Sequence, residues 1–491
     1  MRRSVCFAVF IAILTGGTGW AQMGKTAVLP PSAAGTAHPS AYNFPNAQYP
    51  RIEADNRVTF QFKAPDAQKV QVSIANTPFD LVKGEDGIWT LTTAEPQDLG
   101  YHNYWMIVDG AIVLDPGTDA FIGYGHMCNA FEVPDPEGGF YELKDVPHGN
   151  VLIKNYYAKS IKAWRHIYVY TPPDYERSPT RRYPVLYLQH GGGEDERVWI
   201  EMGRANLILD NLLAEGRITP FIVVMETSAV GAPGAGRGMG AGAPAGAPAG
   251  ARAGAPAGVP AGAGGAGAAA PGGAAAPGAP RGAMFGMGGP GGGPYGQLMV
   301  NDLIPWVDAN FRTLADQPHR AMAGLSMGAM QTRSVTLANL DKFSHIGLFS
   351  GGTISMDDVN NTAGFKEKVK LVFVSYGSRE IGGNRGGARG AGAGAAPPAA
   401  APAAAAPADA GRAGATAGAP GAGQGGPARM GGFGGNPQAS VDALKAAGIN
   451  AAFYVSPLTA HEFQSWRRSL REYALLLFKD RPKAPAVKPV K

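Results

Sequence analysis

Two long stretches, residues 231–293 and 382–435, consist mostly of Ala, Gly and Pro. They carry no apolar period and too few large side chains to offset the entropy of ordering a chain, so they read as disordered insertions. Gly does not recur strictly at every third position, which argues against a collagen-like helix. Whatever folds must therefore assemble from the sequence on either side of them. The excess of Gly (71) and Pro (40) among the 491 residues is concentrated in these tracts, and the remainder resembles an ordinary globular protein. That length is enough for two or three domains with sizeable cores.

The N-terminus has the order of an export signal over residues 1–21: Arg2 and Arg3, an apolar run from Val5 to Leu14, then Gly19-Trp20-Ala21 as a small-x-small cleavage site. About ten apolar residues are too few to span a bilayer, so no stable membrane span is expected. A polar leader follows over 22–41, and residues 483–491 form a tail. The expected location is secreted or periplasmic. Of the two cysteines, Cys6 lies in the signal, leaving Cys128 with no disulfide partner and no cysteine metal site. The formal charge of +5 is modest, and no basic block interleaved with aromatics suggests a nucleic-acid partner.

Residues 42–146 read as a small all-β sandwich. Val58–Phe62 and Val70–Ile74 alternate or nearly so, and Gly87–Trp89 and Tyr101–Gly110 continue the series between turn residues. This stretch resembles the early-set immunoglobulin-like modules that precede sugar-active catalytic domains. Trp89, Tyr104 and Trp105 are candidates for stacking on sugar, although core packing suits at least two of them better.

From 147 to 482 strands alternate with helices. Strand-like runs at Trp164–Tyr170, Pro184–His190, Phe221–Met225, Leu371–Ser375 and Ala451–Val455 are interspersed with helical periodicity at Arg204–Glu215, Leu298–Phe311 and Phe463–Phe478. Pro305 suggests a kink in the second of these helices. The pattern predicts an α/β domain whose central sheet is mostly parallel and covered on both faces.

Gly324-Leu325-Ser326-Met327-Gly328 fits G-x-S-x-G. In so glycine-rich a chain roughly 0.4 such matches arise by chance, so context must decide. Here a short apolar run precedes the pentapeptide and a helix-like run follows it, the strand–turn–helix order of a nucleophile elbow. Ser326 is thus the candidate nucleophile. An unassisted hydroxyl needs a base, and His461, after the last predicted strand, is the candidate. Glu380 follows Leu371–Gly377 and can accept the Nδ1 proton of His461, whereas Asp357 and Asp358 precede that strand. His190-Gly191-Gly192-Gly193 has the form of an oxyanion loop. One N–H from Gly191 or Gly192, with that of Met327, would receive the charge of a tetrahedral intermediate.

At these residues the chain resembles the esterase D and feruloyl/acetyl-xylan esterase group, the first family of carbohydrate esterases, an α/β-hydrolase family. The likeness extends from about Val146 to Phe478 outside the two tracts. It includes Tyr168–Tyr175, Tyr183–Gly191, Gly203–Asn206, Asn301–Pro305 and His461 with Trp466-Arg467. It implies a triad of Ser326, His461 and Glu380 with no metal or organic cofactor. The implied partner is an ester, feruloyl or acetyl, linked to polysaccharide. The chain departs from the family at the acid, where Glu380 stands in place of Asp, and at Ala460, where Gly is common. The insertion directly after Glu380 would be expected to loosen the acid loop. A siderophore-type esterase or an acyltransferase on the same fold is the alternative enzyme. A non-catalytic sugar-binding or surface protein is the alternative of another class.

Overall fold

The computed structural model of the chain describes residues 35–230, 292–381 and 436–479. The predicted export signal, most of the leader, the tail and, apart from Gly292 and Gly293, both Gly/Ala/Pro tracts lie outside the described residues.

Residues 38–133 form two antiparallel sheets. The first runs in the order His38–Pro39, Arg51–Ile52, Val58–Lys63, Ile88–Thr92 and Val82–Lys83. The second runs Ala120–Gly123, His126–Val133, Gly100–Val108, Val70–Ile74 and Thr77–Asp80, with Ala111–Val113 also paired to Gly100–Val108. Alternation sends Val70, Val72 and Ile74 inward, where they meet Val58, Phe60 and Trp89 from the first sheet and Tyr104, Met106 and Phe131 from the second. Trp89, Tyr104 and Trp105 are only 7%, 0% and 4% exposed, so none of them is placed to stack on a sugar. The Trp89 Nε1–H donates to Ala64 O at 2.8 Å, and the Tyr104 hydroxyl to Asp115 Oδ2 at 2.7 Å.

The second sheet system contains eight strands: β1 (Asn150–Ala158), β2 (Ala163–Thr171), β3 (Val185–Gln189), β4 (Ile222–Glu226), β5 (Arg320–Leu325), β6 (His345–Phe349), β7 (Leu371–Gly377) and β8 (Ala451–Ser456). Their order is β1-β2-β4-β3-β5-β6-β7-β8. The sheet is mixed. β1 pairs antiparallel with β2, and β2 with β4, whereas β4 through β8 form parallel ladders. The short link between β1 and β2 permits only an antiparallel pair. β3, β4 and β7 are buried along their whole length, which is why they read as apolar runs without alternation.

Three helices matter for the site: α1 (Ala205–Ala214), α2 (Met327–Ala338) and α3 (Phe463–Ala474). In α3, Phe463, Trp466, Leu470 and Tyr473 fall on one face at helical spacing and are all buried. Removing each from water contributes about 1.5–3 kcal/mol. The stretch expected to kink at Pro305 is Gly293–Leu298, a π-helical turn at Met299–Leu303, and Ile304–Asn310. The wider turn falls directly before the proline, where the regular hydrogen-bond ladder has to yield.

The β-module and the α/β domain share a core. Tyr42, Tyr101, Phe121 and Ala130 pack in one cluster with Val198, Trp199, Phe463 and Trp466. Buried charge crosses the same boundary: Glu132 pairs with Arg204 at 2.8 Å and with Arg467 at 2.7 Å, and Asp135 with Arg468 at 2.9 Å. No helix of the described residues is long and apolar enough to cross a membrane.

Candidate active site

Parallel strands bring their C-terminal ends to one edge of the sheet. At that edge β3 leads into His190, β5 into Ser326, β7 into Glu380 and β8 into the loop carrying His461. Four segments far apart in sequence therefore meet above neighbouring strands.

Ser326 has φ +51° and ψ −116°, a left-handed conformation that a side-chain-bearing residue adopts only under strain. Glycines on both sides make it possible. A Cβ at Gly324 would lie 2.5 Å from the Gly328 backbone, and one at Gly328 only 2.3 Å from His190 O. The Ser326 N–H donates to Phe349 O at 2.8 Å and ties the turn to β6. Its Oγ lies 2.8 Å from His461 Nε2, and His461 Nδ1 lies 2.8 Å from Glu380 Oε1. The edge of His461 is held by Trp466, with ring centroids 5.1 Å apart at 88°.

Glu380 is fixed on its other oxygen as well. Oε2 accepts from the Ser350 hydroxyl at 2.8 Å and from the Gly377 N–H at 2.6 Å. Ser350 in turn accepts from Trp466 Nε1–H at 3.1 Å, so one indole braces both His461 and Glu380. The acid stands in a four-residue helical turn, Ser378–Ile381, rather than in an open loop. That turn is stitched to the histidine loop: Arg379 N–H donates to Thr459 O at 3.0 Å, and Leu458 N–H to Ser378 Oγ at 2.9 Å. A Cβ at Gly377 would lie 2.5 Å from Thr459 O, so glycine is what lets the two loops approach.

The glycine loop differs from expectation at one residue. The Gly191 N–H donates to Glu194 Oε2 at 2.7 Å and is therefore already engaged, which removes it as an oxyanion donor. Gly192 remains. Its exposed Cα faces open space, with nothing within 4 Å of a Cβ built there. His190 sets the orientation of the adjoining peptide. Its Nδ1–H donates to Gly191 O at 2.7 Å, while Nε2 accepts from the Ser228 N–H at 3.0 Å. Burial holds this imidazole below its ordinary pKa, in keeping with a neutral ring of one fixed tautomer. With the Gly191 carbonyl held toward His190, a planar trans peptide turns the Gly192 N–H the opposite way. The Met327 N–H opens α2 and lacks an intrahelical acceptor.

Sequence reasoning did not single out Ser350, Trp466 in its bracing role, or Glu194. Ser350 follows β6 with φ +52° and belongs to no motif. Glu194 could have been found as the first carboxylate after the glycine loop. Burial pushes its carboxyl up to about 8.

The Esterase family model matches residues 158–250 and 278–378, which include β2 to β7 and Ser326. Over those residues the chain is similar to the Esterase family. It is 31% identical over 452 residues to an endo-1,4-beta-xylanase/feruloyl esterase of Xylanibacter ruminicola, a match that takes in 90% of this chain and 47% of that protein. The chain thus spans about half the length of that relative. A shorter match, 33% over 86 residues, links it to endo-1,4-beta-xylanase Y of Acetivibrio thermocellus, covering 17% of this chain and 8% of that protein. Among solved structures, the enterobactin esterase of Shigella flexneri superposes with a TM-score of 0.51 at 12% identity, over 85% of this chain and 92% of that one. That likeness is one of fold. A ferulic acid esterase of Anaeromyces mucronatus gives a TM-score of 0.43 at 15% identity, over 70% of this chain and 95% of the other.

Proposed function

We propose that this chain hydrolyses carboxylic esters through an acyl-enzyme on Ser326. The observation that carries the reading is the linear relay of two 2.8 Å contacts, Ser326 Oγ to His461 Nε2 and His461 Nδ1 to Glu380 Oε1. Glu380 accepts the Nδ1 proton and so leaves Nε2 free to take the serine proton as Oγ attacks the ester carbon. The carbonyl oxygen becomes an oxyanion facing the N–H groups of Met327 and Gly192. His461 then passes its proton to the departing alcohol. Water, activated by the same imidazole, releases the acid and restores Ser326.

Likeness to the Xylanibacter endo-1,4-beta-xylanase/feruloyl esterase supports a feruloyl ester on polysaccharide as the substrate, with an acetyl ester as the other acyl group to test. The residue 42–146 region is read as an early-set immunoglobulin-like module, and residues 1–21 as an export signal that directs the enzyme out of the cytoplasm.

The test is a hydrolysis panel of feruloyl, acetyl and siderophore-type esters, run on wild type and Ser326→Ala with a serine-directed phosphonate alongside. Turnover and stoichiometric labelling are expected in wild type and absent in Ser326→Ala. Equal labelling of both proteins would refute the assignment of the nucleophile. Preference for the siderophore ester would refute the polysaccharide assignment.

A further inference from the structure

The β-module reaches three of the loops that carry the site. Asp98 forms an ion pair with Arg379, beside the acid. Gly100 lies against α3 just beyond the histidine, where a Cβ would come within 2.6 Å of the Gln464 side chain. The third contact is the closest to the chemistry. The strands Ala120–Gly123 and His126–Val133 pair through Gly123 and His126, leaving Tyr124 and Gly125 as a two-residue hairpin loop. Gly125 N–H donates to Gly193 O at 3.0 Å. A Cβ on Gly193 would lie 2.6 Å from Gly125 N and 3.3 Å from Tyr124 Cα, so the hairpin tip rests directly on the glycine loop. Gly193 is two residues from Gly191, where a Cβ would lie 3.5 Å from that of Ser326. The hairpin tip therefore borders the same short glycine loop whose first residue lies against Ser326.

The residue at that tip is the wrong one for the turn. Tyr124 has φ +54° and Gly125 φ +83°, the pair of positive values of a type I′ hairpin. Asn, Asp or Gly suits its first position, whereas a bulky aromatic there is strained. A costly residue held at a functional edge points to a use for its side chain. The ring packs against Trp105 at 5.3 Å and 55°, yet Tyr124 remains 38% exposed. Burial, with the nearby Cys128, Glu194 and Glu462, pushes its phenol up to about 12, so it is a neutral, half-sheltered ring at working pH.

We propose that Tyr124, supplied by the β-module, is a specificity-determining residue of the ester site, forming a surface beside the glycine loop against which a ring of the substrate packs. The inference rests on the esterase reading above. The ring can come from an aromatic acyl group or from a sugar on the alcohol side, and the choice of esters separates these sources.

The experiment compares wild type, Tyr124→Phe and Tyr124→Asn on methyl ferulate, acetylated xylose and methyl butyrate, with thermal unfolding and phosphonate labelling measured in parallel. Asn favours the left-handed turn, so Tyr124→Asn is expected to fold with an unchanged or higher midpoint. It should raise KM for one ring-bearing ester about five- to tenfold relative to methyl butyrate, the scale of one lost ring contact, with little change in kcat. Tyr124→Phe should retain most of the wild-type KM. The ester that responds identifies the ring. An unchanged KM ratio in a Tyr124→Asn protein that still labels at Ser326 would overturn the Tyr124 assignment alone. Failure of wild type to label would overturn the esterase reading and this one with it.

Discussion

Exchange of Glu380 for Gln tests the proposed relay most sharply, because the substitution preserves shape while it removes the carboxylate charge and turns one acceptor into a donor. Oε2 of Glu380 receives two donors, the Ser350 hydroxyl at 2.8 Å and the Gly377 N–H at 2.6 Å. The backbone donor cannot turn away, so the amide oxygen of Gln must occupy that position. Its NH2 group then faces His461 Nδ1 across the 2.8 Å gap. Two donors cannot share that gap. The imidazole must present Nδ1 as an acceptor and carry its proton on Nε2, against Ser326 Oγ. A ring protonated there cannot take the serine proton. In a serine triad the wrong tautomer lowers kcat by about 10⁴, equivalent to about 5 kcal/mol of transition-state stabilisation. Steady-state hydrolysis of a chromogenic ester supplies the measurement, and an unfolding midpoint within a few degrees of wild type shows that the site is intact. A kcat within tenfold of wild type would refute the assignment of Glu380 as the orienting acid.

Burial pushes the Glu132 carboxyl up, but Arg204 and Arg467 more than offset this and hold it at about 2, below the ordinary 4.5. A lowered carboxylate pKa lends stability that is present above pH 4.5 and lost as pH falls toward 2. Glu132→Gln should therefore flatten that acid limb and cost about 3–5 kcal/mol near neutrality by leaving two guanidinium groups buried without their partner, as read by denaturant unfolding at pH 7 and pH 3. The glycines divide in the same way by geometry. Gly328→Ala, with its Cβ 2.3 Å from His190 O, should lower both stability and turnover. Gly192→Ala meets nothing within 4 Å and should raise KM while leaving the unfolding midpoint in place.

Much of this architecture was legible because the buried strands announce themselves as apolar runs. Those at Val185–Gln189, Ile222–Glu226 and Leu371–Gly377, and the half-buried strand Ala451–Ser456, lie within a residue or two of the positions their composition suggests. Two strands of the eight-stranded sheet were missed for identifiable reasons. β6 opens on His345 and is broken by Gly347, and a Cβ at Gly347 would lie 2.8 Å from that of Ala323 on the neighbouring strand. β1 is an edge strand with Ile153 and Tyr157 exposed, so it shows no clean inward face. The site itself was legible where function demands unusual spacing, as at Ser326, and through chain order, as at Glu380 and His461. It was illegible where a residue works through another element. Nothing near Gly191 in sequence says that its N–H is taken by Glu194, and nothing near Ser350 says that it bridges Trp466 to the acid.

The expectation that the second Gly/Ala/Pro tract would loosen the acid follows from adjacency in sequence, since the tract begins two residues beyond Glu380. Adjacency in space leads elsewhere. Between Ser378 and Glu380 every residue has an anchor that does not involve the tract. Ser378 Oγ receives the Leu458 N–H, and the Arg379 N–H reaches Thr459 O while its guanidinium pairs with Asp98 of the β-module. Glu380 is held by His461, Ser350 and Gly377. A segment attached at Ile381 can pull on the acid only by breaking several of these contacts together. The two insertion points, after β4 and after the acid turn, both lie at the strand ends that carry the site. Loops at strand ends are where an α/β fold accepts length most readily. Bracing from the β-module and from Trp466 is what allows that length to be accepted beside a relay that depends on two 2.8 Å contacts.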